Sequence, residues 1–396
     1  MMLKAVQFGA GSIGRGFLGQ LLFEGSFQTT FVDTNAALVN ALEARGSYPL
    51  RLIGAAGTQN LSIGNLLALL ASDTEKIIQA ITEANLLSTA VGVAALPHIA
   101  PVIAAGLNAR AAAGGGPINL LLCENQWHAA TLMRELLIPH LTSEALVSLG
   151  SQVGLVETVI GRMVPLPTEA LRTEDPLLVV AEPYRELPVA RSALRGPTPR
   201  LPGLLMAENF EAYEARKLLL HNMSHAALAY LGAPRGHTLI WQCAADSEIG
   251  ETVSQAINDV CRALVLEYGF GPSTLAIYAE DLLSRFTNRA LGDTVSRVAA
   301  DPLRKLRPED RLIGAASLCL KHGIPPHALV RVIRASLAYD NPDDPSAVRL
   351  QEMRKLHGDA GVMEAVCCLT PNSELTQMIV GGRDVLLSNN KAHLKS

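Results

Sequence analysis

Six short apolar stretches punctuate the first half of the chain. They span 3–8, 28–32, 86–91, 118–123, 153–160 and 177–180. Each is rich in Leu, Val, Ile or Phe, and most show little apolar/polar alternation, which predicts strands buried on both faces. Between them the spacing predicts helices over 12–24, 73–83, 98–113 and 127–137, while 61–87 is otherwise mixed. Strands alternating with helices in this way predict an α/β fold whose N-terminal part is a doubly wound parallel sheet of the Rossmann type. Gly114-Gly115-Gly116-Pro117 reads as a surface loop. The segment 191–203 is rich in Pro, Arg and Gly and carries no apolar period, so a boundary is expected there, giving domains 1–198 and 199–396. Beyond Asn209 the pattern turns helical. Candidate helices cover 209–231, 238–246, 249–268, 273–285, 304–320, 326–338, 345–356 and 372–381, and no repeat of 20 to 50 residues stands out. The C-terminal domain is therefore expected to be mostly α-helical.

Composition changes this picture little. At 396 residues there is length for two cores, and 49% hydrophobic residues is ordinary for a globular chain. A net charge of −4 argues against nucleic acid as the main partner. No apolar run reaches membrane-spanning length free of charges and breakers, and the first residues lead straight into a strand, leaving no room for a signal peptide. The six cysteines show no CxxC pair and no zinc-ligand spacing. They read as reduced thiols of a cytoplasmic protein with no bound metal.

Chemistry enters at the end of the first strand. Gly9-Ala10-Gly11-Ser12-Ile13-Gly14 follows it at once and opens a helix. Gly9 permits the tight turn, Gly11 lets backbone approach a pyrophosphate, and Gly14 lets helix pack on strand. The second strand ends in Asp33, where a carboxylate can hold ribose hydroxyls. Asp33 would repel a 2′-phosphate, and no Arg stands at Thr34, Asn35 or Ala36, so NAD is expected rather than NADP. Thr89-Ala90-Val91-Gly92 closes the next strand with small residues against which a nicotinamide nucleotide can lie. Glu124 and Asn125 close the one after. A plainer role for those two is to cap the following helix.

Within 209–231, Lys217, His221, Asn222 and His225 occur on an otherwise apolar, Ala/Leu-rich helix. On a regular wheel of about 100° per residue, His221 lies about 40°, His225 about 80° and Asn222 about 140° from Lys217. A buried Lys loses its proton more readily and can serve as a base, whereas a polar stripe on an amphipathic helix is the plainer alternative.

Several of these stretches also resemble one family. Phe8 through Phe17 is similar to the opening of mannitol-1-phosphate 5-dehydrogenases. Lys217, Asn222 and His225 match the Lys-x4-Asn-x2-His pattern of the polyol-specific long-chain dehydrogenases. Thr89–Gly92, Cys123-Glu124-Asn125, Asp301-Pro302-Leu303-Arg304-Lys305-Leu306 and Asp310-Arg311-Leu312 resemble further blocks in the same order. The resemblance implies a metal-independent, NAD-linked enzyme interconverting a polyol or polyol phosphate and a ketose, mannitol 1-phosphate and fructose 6-phosphate among the candidates. It implies Lys217 as general base, Asn222 as donor to the reacting oxygen and His225 as a group positioning that region. Gly9, Ala10, Gly11, Ile13, Gly14, Asp33, Thr89, Val91 and Asn125 are then expected at the cofactor, and Arg297 and Lys305 at the substrate. The chain departs from the family at Gly161, where members carry Asp, and at Glu157, where many carry Asn or Asp. A free-polyol or hexuronate dehydrogenase, or an NAD-binding sensor without turnover, are the alternatives. A monomer or weak homodimer is expected. His221 has no implied role; a buried His most often simply finds a partner in packing.

Overall fold

The computed structural model describes residues 2–165 and 169–381. The chain divides into two compact units, Met1–Tyr213 and Glu214–Ser396. The division falls beyond the 198/199 boundary expected from sequence. The Pro-rich segment is not a free linker, because it leads from strand β10 (Leu187–Ala190) to strand β11 (Leu204–Ala207), which pair in parallel.

Six strands form the main sheet of the first unit. They are β1 (Leu3–Phe8), β2 (Phe27–Asp33), β5 (Leu66–Leu70), β6 (Leu86–Thr89), β7 (Ile118–Leu122) and β8 (Val153–Glu157), in the spatial order β5-β2-β1-β6-β7-β8. All neighbours are parallel. The order reverses between β1 and β6, which opens a crevice at their carboxyl ends, the usual ligand position in such sheets. Both faces are covered, so β6 and β7 are buried at every position, which accounts for their unbroken apolar sequence. Ile77, Ile81, Ile103 and Leu107 pack on one face, and Phe17, Leu21 and Val189 on the other.

The mixed stretch before β6 holds what the sequence concealed. Strands β3 (Tyr48–Gly54) and β4 (Gly57–Ile63) form an antiparallel hairpin, and β9 (Val179–Ala181) joins β3 in parallel. Tyr48 is fully buried here, its hydroxyl donating to the Arg15 carbonyl at 2.6 Å. Two expected strands stop early: the one at 86–91 ends at Thr89 and the one at 153–160 at Glu157.

The second unit is helical throughout its regular elements. The helix Met223–Gly232 lies at its centre, with Ile240–Ala245, Ser247–Tyr268, Val295–Ala299 and His327–Ala338 packed around it. Small residues Ala226, Ala227 and Ala229 let these neighbours approach, and all three are buried. The helix expected over 304–320 is broken. Pro302–Lys305 is a single turn, a loop follows, and Ile313–Lys321 resumes. Asp301 starts that turn in the left-handed region (φ 59°) and accepts from the Arg304 N–H. The helix expected over 345–356 runs on to Ala365, changing direction at Gly358 (φ 67°).

Candidate active site

In the first unit the glycine turn occupies the mouth of the crevice. Gly9 adopts φ 90°, and a methyl group there would lie 2.4 Å from the Ala90 carbonyl oxygen. At Gly14 it would lie 1.9 Å from the Gly9 oxygen, while at Gly11 it would meet nothing within 4 Å. Gly9 and Gly14 are thus required by the fold, and Gly11 lines open space where a pyrophosphate can come against backbone. The helix that follows, 12–24, widens into a π turn over Gly14–Leu18. Carbonyls in that turn are taken up by Tyr48 and by Arg162, whose guanidinium donates to Gly16 O at 2.9 Å and Gln20 Oε1 at 2.7 Å. Ile13 packs into the core beneath. The first N–H groups of such a helix have no carbonyl within it and are free for an anion.

Asp33 is half-buried. Its Oδ2 accepts from Ala10 N–H at 2.7 Å and its Oδ1 from Asn35 N–H at 2.9 Å. The carboxylate therefore braces the glycine turn and keeps lone pairs for hydroxyl donors. Asn35 accepts from Leu38 N–H at the head of the next helix. Thr89 is fully buried, and its hydroxyl donates to Glu124 Oε2 at 2.7 Å; Val91 N–H donates to Glu124 Oε1 at 3.1 Å. Glu124 thereby ties the ends of β6 and β7 together, and burial raises its carboxyl above the usual range. The expected capping role falls away: the helix begins at Ala129, and it is Glu157 that accepts from Ala130 N–H at 3.2 Å. Asn125 lies exposed in the loop between.

In the second unit the polar helix departs from regular α geometry over the stretch that holds Lys217, His221 and Asn222. Arg216–Asn222 forms a π turn. Its hydrogen bonds run from residue to fifth residue. Positions five apart then stack along the axis, so Asn222 comes under Lys217 rather than far around the helix as a regular wheel implies. The hydroxyl of Ser224 takes up the Leu220 carbonyl at 2.7 Å and that of His221 at 3.1 Å. Burial lowers the Lys217 amine to about 8, the Arg311 guanidinium adding to the effect and Glu214 opposing it. Asn222 makes no hydrogen bond through its side chain among the described residues.

His225 Nε2 lies 2.8 Å from Asp293 Oδ2 without the alignment of a hydrogen bond, and its ring stacks on Phe286 (centroids 5.2 Å apart, planes 22°). Asp293 has no counterpart in the sequence reading. No periodicity links it to the helix, and its role depends on a loop closing in space. His221 is buried with Nδ1 unbonded, edge-on to Phe286. Burial, reinforced by Arg285 and its neighbours, takes it well below 6.5, so it is neutral.

The expected substrate residues differ sharply from one another. Arg297 is more than half exposed and bound to Asp293, its Nε donating at 2.9 Å. Lys305 is 4% exposed and its side chain makes no hydrogen bond or ion pair among the described residues. Burial, with Arg311 and Arg304 nearby, lowers its amine to about 7. Arg304 bonds Asp301 and Asp310, and Arg311 bonds Asp310 at 2.7 Å. Among the described residues no group of three or more His, Cys, Asp or Glu is arranged to hold a metal.

The mannitol dehydrogenase Rossmann domain matches residues 3–203, and the mannitol dehydrogenase C-terminal domain matches residues 209–368. The chain belongs to the mannitol dehydrogenase family. It is an NAD-dependent dehydrogenase, and the glycine turn with Asp33 fits that cofactor. Among its relatives is a mannitol-1-phosphate 5-dehydrogenase of Brevibacillus brevis, 37% identical over 90% of this chain and 91% of that one. Another, from Bacillus pumilus, is 38% identical over 96% of this chain and 99% of that one. Solved structures agree in fold. D-sorbitol dehydrogenase in substrate-free form superposes with a TM-score of 0.82 at 18% identity, covering 98% of this chain and 94% of its own. Pseudomonas fluorescens mannitol 2-dehydrogenase, solved with NAD and D-mannitol, gives 0.73 at 19% identity, covering 100% and 94%. No helix among the described residues is long and apolar enough to cross a membrane.

Proposed function

We propose that the chain interconverts a polyol phosphate and a ketose phosphate, with mannitol 1-phosphate and fructose 6-phosphate as the pair. The observation that carries this reading is the Lys217 amine, lowered to about 8 beside Asn222 on a widened helical turn. The cofactor, when bound, accepts the hydride from the carbinol carbon. The first unit holds it through the backbone at Gly9, Ala10, Gly11, Ile13 and Gly14, with Asp33 on the adenosine ribose and Thr89, Val91 and Asn125 along the nicotinamide side.

Hydride leaves a carbinol only as its oxygen loses a proton. Lys217 takes that proton. With a pKa of about 8, about a tenth of it is neutral at pH 7, and the ammonium it becomes then stabilises the oxygen it has deprotonated. Asn222 donates its amide hydrogen to the same oxygen. His225 orients the neighbouring part of the substrate. Lys305, buried and with no side-chain partner among the described residues, is the cation available to an anionic substituent, with Arg297, exposed and already paired with Asp293, as the second. The identity of both relatives, above one third over nearly whole chains, supports the phosphorylated substrate. One observation favours a free polyol instead: Arg297, Arg304 and Arg311 already face carboxylates of the chain itself.

A panel of mannitol 1-phosphate, sorbitol 6-phosphate, mannitol, sorbitol and a hexuronate, read by NADH absorbance, decides between them. The phosphates should give the highest kcat/KM. NAD binding without turnover of any of them would refute the reading.

A further inference from the structure

A cavity of about 140 Å³ opens between the edge strand β8 and the helix Ala129–Leu137, and the glycine turn contributes nothing to its lining. We propose that this cavity is an anion site separate from the cofactor's, shaped for a phosphate group, free or as a small monoester, and held chiefly by Arg134 and Arg195. The proposal does not depend on which polyol the chain turns over.

The two cations reach the cavity from different elements. Arg195 is fixed in place. Its backbone N–H donates to Asn119 Oδ1 at 2.8 Å and its carbonyl accepts from Asn119 Nδ2 at 2.9 Å, so a buried amide on β7 grips it from both sides. Gly154 on β8 makes that grip possible: a methyl group there would lie 2.3 Å from Asn119 Oδ1 and 2.5 Å from the Ala193 carbonyl oxygen. The guanidinium then commits Nε to the Gly150 carbonyl and Nη1 to those of Ser192 (2.9 Å) and Leu194 (2.8 Å). Its Nη2 keeps its hydrogens without a partner among the described residues. Arg134 comes from the helix. Its Nη2 would lie 3.2 Å from a methyl group added at Gly150. Its guanidinium makes no hydrogen bond or ion pair among the described residues, so all its N–H donors are available. Thr131, about one turn earlier on the same helix, adds an exposed hydroxyl that is equally unassigned.

No Asp or Glu lines the cavity. Two guanidiniums turned to one space repel each other, and an anion between them converts that repulsion into two attractions. Forked donors match the oxygens of phosphate, which also brings more acceptors and more charge than a carboxylate. The volume, 140 Å³, falls well short of the roughly 300–1,000 Å³ of sites that enclose drug-sized ligands. It suits a phosphate with a short substituent. An anion bridging Arg134 to Arg195 ties the helix to the edge of the sheet, and so stabilises the folded unit by mass action.

Titration with inorganic phosphate, followed by calorimetry and phosphorus-31 NMR, tests the site. NAD is kept saturating so that the glycine turn is occupied, and chloride holds the ionic strength constant. Wild type should bind phosphate saturably, and its melting temperature should rise as phosphate is added. Arg134→Gln removes a cation that the fold does not use. Without phosphate it should melt within about two degrees of wild type. Its phosphate affinity should fall at least about tenfold, the scale of one charge-assisted hydrogen bond. Arg134→Lys keeps the charge but loses the fork and should fall between the two; it carries the test if the Gln variant melts early. Phosphate held at Lys305 instead would survive Arg134→Gln and be lost in Lys305→Met. Glycerol 3-phosphate in a parallel titration separates the sources: an affinity equal to that of inorganic phosphate assigns the site to the free ion, and a tighter one to a monoester. Equal phosphate binding by wild type and both Arg134 variants, or binding that chloride matches at the same ionic strength, would overturn the proposal.

Discussion

Replacing Lys217 by Met should abolish activity and make the protein more stable. Met has similar length and flexibility and carries no charge. The amine of Lys217 is lowered from 10.5 to about 8 by burial, so the folded chain binds that proton less readily than the unfolded chain. At pH 7 a protonated amine held there costs about 3 kcal/mol relative to a neutral side chain; at pH 9 the cost is about 2 kcal/mol. The sign follows from proton counting. Between about pH 8 and 10.5 the unfolded chain holds more protons, so wild-type stability rises with pH across that window. A Met variant lacks the rise. Contacts of the amine lost on substitution offset part of the gain, which leaves about 1–3 kcal/mol at pH 7 and a Tm higher by a few degrees. Urea melts of both proteins at pH 7 and pH 9 measure it, beside NADH formation, which should fall by at least about a hundredfold. The advantage of the variant should narrow by about 1 kcal/mol at the higher pH. A variant less stable than wild type at pH 7, by a margin that does not change with pH, would refute the burial argument.

Further outcomes separate fold from binding in the first unit. Gly14→Ala forces a methyl group against the Gly9 carbonyl and should cost about 1–3 kcal/mol in thermal or urea melts. Gly11→Ala meets no atom within 4 Å; it should melt within about 0.5 kcal/mol of wild type while raising the KM for NAD. Asp33→Asn should shift the NAD-to-NADP ratio of kcat/KM by about tenfold toward NADP, since one repulsive charge is removed. The pH profiles should mirror each other. Polyol oxidation should rise to a plateau above about pH 8 as Lys217 loses its proton, and ketose reduction should fall over the same range.

The central sheet was readable because parallel strands covered on both faces leave unbroken apolar runs, as in Leu3–Phe8 and Ile118–Leu122. The hairpin of β3 and β4 was not. Its outer strand, Gly57–Ile63, is exposed along most of its length and carries Thr, Gln, Asn and Ser, with too few buried positions to give a period. The loop at 306–312 was hidden for the opposite reason, since Leu306 and Leu312 are fully buried and continue the helical spacing through it. At the site, the glycine turn and the lysine helix announced themselves by local spacing. What local spacing cannot convey is closure through space, as between His225 and Asp293. The competition for Arg297 and Arg304 was within reach of it, since the carboxylates that hold them stand four and three positions earlier. The wheel itself failed at Asn222, because it assumes a constant turn.

That turn has a consequence for how the chain can change. A π turn amounts to one residue more than an α-helix requires. Deleting one residue between Lys217 and Asn222 would close the turn to regular α geometry, where positions four apart take the place of positions five apart, so the two would stay on one side and the helix beyond would stay nearly in register. His225 would keep its place toward Asp293. The extra residue is thus one that the helix has absorbed locally, and a one-residue gap in this short window would not by itself be a sign, in any descendant, that the old reaction had been given up.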